Sequence, residues 1–125
     1  MKLEVGQFAR LKSGYICKII NINDFREPNM KYGVEANYLK DVMFIGDDDV
    51  VKASYNIIDI LEVGDYVNGS KVVNINYDLN YDEDIVESIT IFDYSIEGND
   101  ILHNEDIKSI VTHEQMEKMA YKVGD

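Results

Sequence analysis

Hydrophobic residues occur along this chain in short runs, and within most runs apolar and polar positions alternate as they do in half-buried β-strands. The first half contains five such runs, which predict strands at residues 5–11, 15–22, 32–39, 42–45 and 50–53. In the second of these strands, alternation places Tyr15, Cys17 and Ile19 on one face, opposite a face that contains Ile16, Lys18 and Ile20. Five short strands in about 55 residues are typical of a small β-barrel.

The second half of the chain shows the same pattern. Its apolar runs predict strands at residues 63–67, 71–77, 85–94, 101–103 and 107–111. Asn68 and Gly69, between the first two of these runs, are a strong signal for a two-residue hairpin turn. A single helical turn is expected at residues 56–61, where the two halves meet.

The strongest helix signal lies near the end of the chain. The hydroxyl of Thr112 can cap the helix while the side chain of Gln115, three residues later, reaches back to the capping residue. We therefore predict a helix at residues 112–120. Met116 and Met119 lie on one face of it, and we expect that face to pack in a core or at an interface between modules.

Three blocks of sequence recur in the same order in both halves. They are residues 3–8, 18–23 and 48–54 in the first half and residues 61–66, 71–76 and 105–112 in the second. The first and last blocks recur at an offset of 58 residues and the middle block at 53, which predicts a tighter first turn in the second copy. We interpret the pattern as a tandem duplication. The predicted fold class is all-β, with small barrels at residues 1–60 and 61–125 and a short C-terminal helix.

Charge is divided unequally between the two copies. Residues 1–60 carry 9 acidic and 8 basic residues, whereas residues 61–125 carry 15 acidic and 4 basic residues, so the second copy holds nearly all of the net charge of −12. Residues 72–107 contain no Lys or Arg but ten acids. Such a field repels nucleic acid and favours basic protein surfaces, so we do not expect direct binding of DNA or RNA.

Composition also restricts the compartment. The one cysteine, Cys17, excludes an internal disulfide framework, and we expect it to be a core thiol. No apolar run approaches the roughly 18 residues of a membrane helix, and the first residues lack the pattern of a signal peptide. These features favour a soluble cytoplasmic protein.

The first hairpin carries a pattern of small and charged residues, namely Val5, Gly6, Ala9, Arg10 and Gly14. This pattern resembles the opening hairpin of SH3-like barrels of the KOW and Tudor type. Residues 56–69 and 106–112 are similar to small proteins of Firmicute phages and mobile elements. The resemblance implies two SH3-like modules, a bacterial host cytoplasm and a counter-defence role such as that of an anti-CRISPR inhibitor.

The acidic interval is the candidate partner-binding site. The residues that we assign to it are Asp82, Glu83, Asp84, Glu87, Asp93, Glu97 and Asp100. Glu87 and Asp93 are an even number of residues apart on one strand, so they are expected to share a face in a charged stripe. Duplex DNA carries a charge about every 1.7 Å, and carboxylates at comparable density could imitate it in the basic channel of a nucleic-acid enzyme. The competing interpretation is a solvated surface that only maintains solubility.

No motif of an enzyme or of a metal site is present, so we expect no catalytic residue, metal or cofactor. Residues 78–84 have the alternating oxygen ligands of a calcium loop, but Glu83 stands where that loop needs Gly and Ile89 where it needs Glu. His103 and His113 have no Cys partners at metal-ligand spacing, and we expect them at the surface or at a helix start.

Two other functions fit the sequence. The first is sequestration of a small molecule or signalling nucleotide, for which the first copy offers four bases, namely Arg10, Lys12, Lys18 and Arg26. The second is a structural or assembly component of a phage particle, which would form a stable homo-oligomer.

Overall fold

The strands of this chain form two separate antiparallel sheets of five strands each in the computed structural model. The structure describes residues 3–37, 39–79, 85–120 and 123. The chain divides into two compact units, Met1–Ile60 and Leu61–Asp125. The prediction of a mainly β protein with one C-terminal helix is confirmed. No helix in these described ranges is long and apolar enough to cross a membrane.

The first unit has the strand order β4-β3-β2-β1-β5. Its strands are β1 Phe8–Leu11, β2 Ile16–Ile22, β3 Tyr32–Glu35, β4 Met43–Ile45 and β5 Val50–Ser54. Ala9 pairs with Cys17 on one side of β1 and with Ala53 on the other. Ala9, Cys17 and Ile19 are buried, so the face of β2 that contains Cys17 and Ile19 is the one that packs in the core. Burial of a side chain such as Ile19 stabilises the fold by roughly 1.5–3 kcal/mol.

The second unit has the order β10-β6-β7-β8-β9. Its strands are β6 Tyr66–Val67, β7 Ser70–Tyr77, β8 Val86–Asp93, β9 Gly98–Leu102 and β10 Ile110–Val111. When β6 is matched to β1 and the later strands follow in turn, the two units have the same strand order. Val72, Ile89 and Ile91 are buried and belong to the core of this sheet.

The C-terminal helix, α1 His113–Met119, begins as predicted. Thr112 is its N-cap: the backbone N–H of Gln115 donates to the Thr112 hydroxyl at 3.3 Å, and the Gln115 side chain accepts from the Thr112 N–H at 2.9 Å. Thr112 is itself fully buried, so the start of the helix is fixed to the unit. The cap places His113 and the residue after it at a defined position beside β6.

A glycine turn opens each unit with the same backbone hydrogen bond. Gly6, at a φ of 96°, donates to the carbonyl of Ile19 at 2.8 Å, and Gly64, at a φ of 99°, donates to the carbonyl of Val72 at 2.9 Å. Ile19 and Val72 are residues that the 53-residue offset aligns. Because a positive φ is strained for any residue with a Cβ, both turns require glycine. The equivalence of the two copies therefore extends from sequence to backbone geometry.

The structure departs from several expectations: β3 ends at Glu35 rather than at residue 39, and β9 begins at Gly98 rather than at residue 101. β1 and β6 begin later than the apolar pattern predicts, because the glycine turns occupy the first residues of those runs. Among the described strands, β4 does not pair with β5 and β9 does not pair with β10, so closure of the predicted barrels is not seen. Met116 and Met119 are 36% and 72% exposed, so the expectation that they lie in a core is wrong. The helix has only seven residues and is attached to its unit through its first turn.

Candidate functional site

The predicted acidic site is only partly covered by the structure. Asp82, Glu83 and Asp84 lie outside the described residues, as does most of the calcium-like loop. The other four acids belong to β8, β9 and the turn between them. They are Glu87 at the start of β8, Asp93 at its end, Glu97 in the turn and Asp100 in β9.

A continuous charged stripe along β8 is not formed. Glu87 and Asp93 are six residues apart, which places them about 20 Å from each other along the strand. The two residues of the same parity between them, Ile89 and Ile91, are buried at 0% and 5% exposure. Alternation correctly assigns Glu87 and Asp93 to the same face of β8. Along most of the strand, however, this face packs against the core. Carboxylates on it are exposed only at the strand ends.

Three of the acids instead come together where β8 turns into β9. Asp93 pairs with Gly98 and Ile91 pairs with Asp100, so Asp93 and Asp100 lie on adjacent strands, and Glu97 precedes Gly98 in the connecting turn. Asp93 accepts hydrogen bonds from the Ser95 hydroxyl at 2.6 Å and from the Ser95 N–H at 2.9 Å. These bonds lower the pKa of Asp93, so its carboxylate stays charged.

Apolar side chains are exposed at the same end of the hairpin. Tyr94 is 80% exposed and Ile96 is 60% exposed. The ring of Phe92 meets that of Tyr94 edge-on, with a centroid separation of 4.7 Å. We call this surface the hairpin tip and define it by its three acids and two apolar residues, namely Asp93, Tyr94, Ile96, Glu97 and Asp100.

The bases of the first unit do not form the predicted phosphate site as a set. Arg10 is fully buried and donates from Nη1 to the carbonyl of Ile60 at 3.2 Å. Arg26 lies over the ring of Phe44, with 3.8 Å between guanidinium and centroid. Because a buried guanidinium is not presented at the surface, Arg10 is not available to an incoming phosphate, which weakens the sequestration hypothesis.

A cluster that the sequence analysis did not predict lies beside α1. The Nε2 atom of His113 is 2.8 Å from a carboxylate oxygen of Glu62 and 3.1 Å from one of Glu114. The three side chains are partly exposed, at 41%, 29% and 26% respectively. One imidazole and two carboxylates at such distances could hold a metal ion.

Buried Asp65 holds two members of this cluster in place. One of its oxygens accepts from the backbone N–H of Glu62 at 2.8 Å and the other accepts from that of His113 at 2.9 Å. Asp65 itself is fully buried. A single carboxylate thereby ties together two residues that are 51 positions apart in the chain.

The signal that could have revealed the cluster is the alignment of the two copies. At the 58-residue offset, Glu62 corresponds to Glu4, while His113 and Glu114 correspond to Tyr55 and Asn56. His113 lies at the helix start, as the sequence predicts, but its spacing from other residues gives no sign of a ligand role. The change from non-ligating to ligating side chains becomes visible only when the copies are compared residue by residue.

The one cysteine offers no reactive thiolate. Cys17 is 2% exposed in the core of the first unit, and its burial raises the pKa of the thiol to about 11. At neutral pH the thiol is therefore protonated and packed as a small apolar group.

Comparison with protein-family models, with curated proteins and with solved structures finds no match to this chain.

Proposed function

We propose that this chain is a non-enzymatic protein-binding module whose second unit binds a basic surface of another protein through the hairpin tip. The observation that carries the proposal is the exposure of Tyr94 and Ile96 among acids, within a stretch, residues 72–107, that has no Lys or Arg. Neighbouring exposed apolar residues rimmed by charges of one sign are typical of a surface that binds a complementary partner.

The apolar and acidic residues have separate roles in this proposal. Tyr94 supplies apolar area with a polar hydroxyl, as aromatic residues at the centres of interfaces do. Asp93, Glu97 and Asp100 steer a basic partner toward the tip and oppose neutral or acidic competitors. Nucleic acid is repelled by the same field, so the partner is a protein.

The finer proposal concerns fold and partner class. In both units a four-strand meander is followed by a fifth strand beside the first, and this order supports an SH3-like assignment of each unit. The resemblance to phage and mobile-element proteins supports a partner with a Lys/Arg-lined nucleic-acid channel, such as a host defence enzyme. In that case the protein is an inhibitor of the anti-CRISPR kind and acts in the bacterial cytoplasm.

The test begins with capture from a bacterial lysate at low salt, elution with rising salt and identification of the bound protein by mass spectrometry. Binding is then measured with the purified partner. Tyr94→Ser is expected to cost about 2 kcal/mol, or roughly thirtyfold in Kd. The double variant E97Q/D100N is expected to weaken binding at low salt and to flatten its salt dependence.

A matched control is the double variant E105Q/E117Q, which removes two exposed charges of the same unit away from the hairpin tip. It should bind nearly as well as the unaltered chain. Equal weakening by both double variants would show that binding depends on the overall negative charge of the unit and not on the hairpin tip. Capture of the chain by itself alone would favour an assembly component instead.

A further inference from the structure

We propose that Glu62, His113 and Glu114 form a binding site for one divalent transition-metal ion, best matched by Zn²⁺, that the first unit lacks. The site lies between the glycine turn before β6 and the start of α1. None of its residues belongs to the hairpin tip, so the proposal does not depend on the proposed protein-binding function.

The geometry of the cluster is close to that of a metal site. A tetrahedral zinc ion with bonds of about 2.0–2.1 Å holds its ligand atoms about 3.4 Å apart. The Nε2 atom of His113 lies 2.8 Å and 3.1 Å from oxygens of Glu62 and Glu114, so the ligand atoms need to separate by only a few tenths of an ångström. All three ligand atoms lie within 4.8 Å of one another. Small side-chain rotations are enough to admit the ion.

The charge arrangement favours a cation. One ring nitrogen of His113 lies within 3.1 Å of an oxygen of each of two carboxylates, so three ligand atoms converge on one place. A divalent ion at this place interacts with both carboxylates and with the ring nitrogen at once. The remaining coordination positions are open to water, because each ligand side chain is partly exposed.

The ligands are placed by rigid parts of the unit. Buried Asp65 accepts from the backbone of Glu62 and of His113, and the Thr112 cap fixes the first turn of α1. Asp65 is thus a positioning residue that acts through the backbone of two ligands. Preorganisation of this kind lowers the ordering cost of binding.

The first unit has the same glycine turn but lacks counterparts of two of the three metal ligands. Tyr55 stands where His113 stands, and its hydroxyl donates to Glu4, the counterpart of Glu62. Asn56 replaces Glu114. The fold therefore does not require the histidine or the second acid here, since the first copy maintains the same turn with Tyr55 and Asn56 in their places. This difference points to a ligand that only the second unit binds.

The ligand set selects among metals. Imidazole nitrogen favours Zn²⁺ and other later transition metals, whereas Mg²⁺ and Ca²⁺ prefer sites built entirely from oxygen. Zn²⁺ should therefore bind more tightly than either Mg²⁺ or Ca²⁺. We expect one equivalent per chain.

The test is a calorimetric titration of ZnCl₂ into the full chain without a histidine tag, with NMR of its two histidine rings. The unaltered chain should bind one Zn²⁺, and only the ring signals of His113 should shift. His113→Tyr and Glu114→Asn install the side chains of the first unit, so they should fold, and each should weaken binding at least about tenfold. His103→Gln is the matched control and should bind like the unaltered chain.

The opposite results overturn the proposal. Absence of zinc binding by the unaltered chain would do so, as would equal binding by a His113→Tyr variant whose circular dichroism shows that it is folded. Binding of Mg²⁺ as tight as that of Zn²⁺ would contradict the assigned ligand chemistry. None of these three results would affect the protein-binding proposal, because Tyr94, Glu97 and Asp100 are absent from this site.

Discussion

Tyr55 of the first unit and His113 of the second occupy equivalent positions, each packed against the positive-φ glycine of its own unit. A Cβ added to Gly6 would lie 3.5 Å from the ring of Tyr55, and one added to Gly64 would lie 3.5 Å from the Cβ of His113. Each residue also contacts the glutamate two positions before its glycine. Duplication thus preserved a turn, a glutamate and a side chain packed on both, while the chemistry of that side chain changed.

The glycine turn should be a sensitive point for stability. Gly64→Ala forces a residue with a Cβ to a φ of 99°, and we expect a loss of about 1–3 kcal/mol in the free energy of unfolding. Urea denaturation measures this loss. Gly98→Ala is the control, because the added Cβ meets nothing closer than the Ile96 carbonyl at 3.8 Å. Similar losses for the two variants would show that backbone strain is not the cause.

Alternation and turn chemistry were sufficient to predict most of the fold. Three predicted features are determined by residues close together in the sequence, and all three are observed. They are the shared face of Cys17 and Ile19, the hairpin turn at Asn68 and Gly69, and the cap of α1. The turn has φ values of 52° and 84° at its two central residues, as a two-residue hairpin requires. Local rules therefore predict local structure well here.

The candidate sites could not be predicted in the same way. Alternation along β8 predicts that Glu87 and Asp93 share a face of the strand. It does not predict that the middle of that face is buried in the core. The cluster of Glu62 and His113 joins residues 51 positions apart, and only the packing of α1 against the glycine turn brings them together. Such proximity is a property of the folded unit and of no single motif.

The turn at the hairpin tip contains a residue with a strained backbone conformation. Glu97 has a φ of 50°, which costs an ordinary side chain about 1–2 kcal/mol, whereas Asn tolerates this region. Glu97→Asn should therefore raise the free energy of unfolding by roughly 0.5–1 kcal/mol. Glu97→Gln removes the same charge but retains the strain, and it should leave stability nearly unchanged in urea denaturation. A larger gain in the free energy of unfolding from Glu97→Gln than from Glu97→Asn would show that removal of the charge, and not relief of backbone strain, stabilises the fold.

Burial of the cysteine predicts a loss of stability at high pH. The thiol has an ordinary pKa of 9.0 and a folded-state pKa of about 11, so the unfolded chain releases its proton first. The contribution of Cys17 is therefore complete below pH 9 and is lost as the pH rises toward 11. Urea denaturation should show this loss for the unaltered chain relative to Cys17→Ala, whose core position does not titrate. Parallel curves for the two proteins would mean that the thiolate is not disfavoured by burial.

Transfer of the zinc site to the first unit is the most demanding prediction. Glu4 already matches Glu62, so the triple variant Q7D/Y55H/N56E gives the first unit the counterparts of Asp65, His113 and Glu114. In a His113→Tyr background, which removes the natural site, this variant should again bind one Zn²⁺ in calorimetric titration, with the signals of the new histidine shifting on binding. The physical reason is that both units share the glycine turn that holds these positions together. A folded triple variant that binds no zinc would show that the two turns, although alike in backbone hydrogen bonds, do not position their side chains alike.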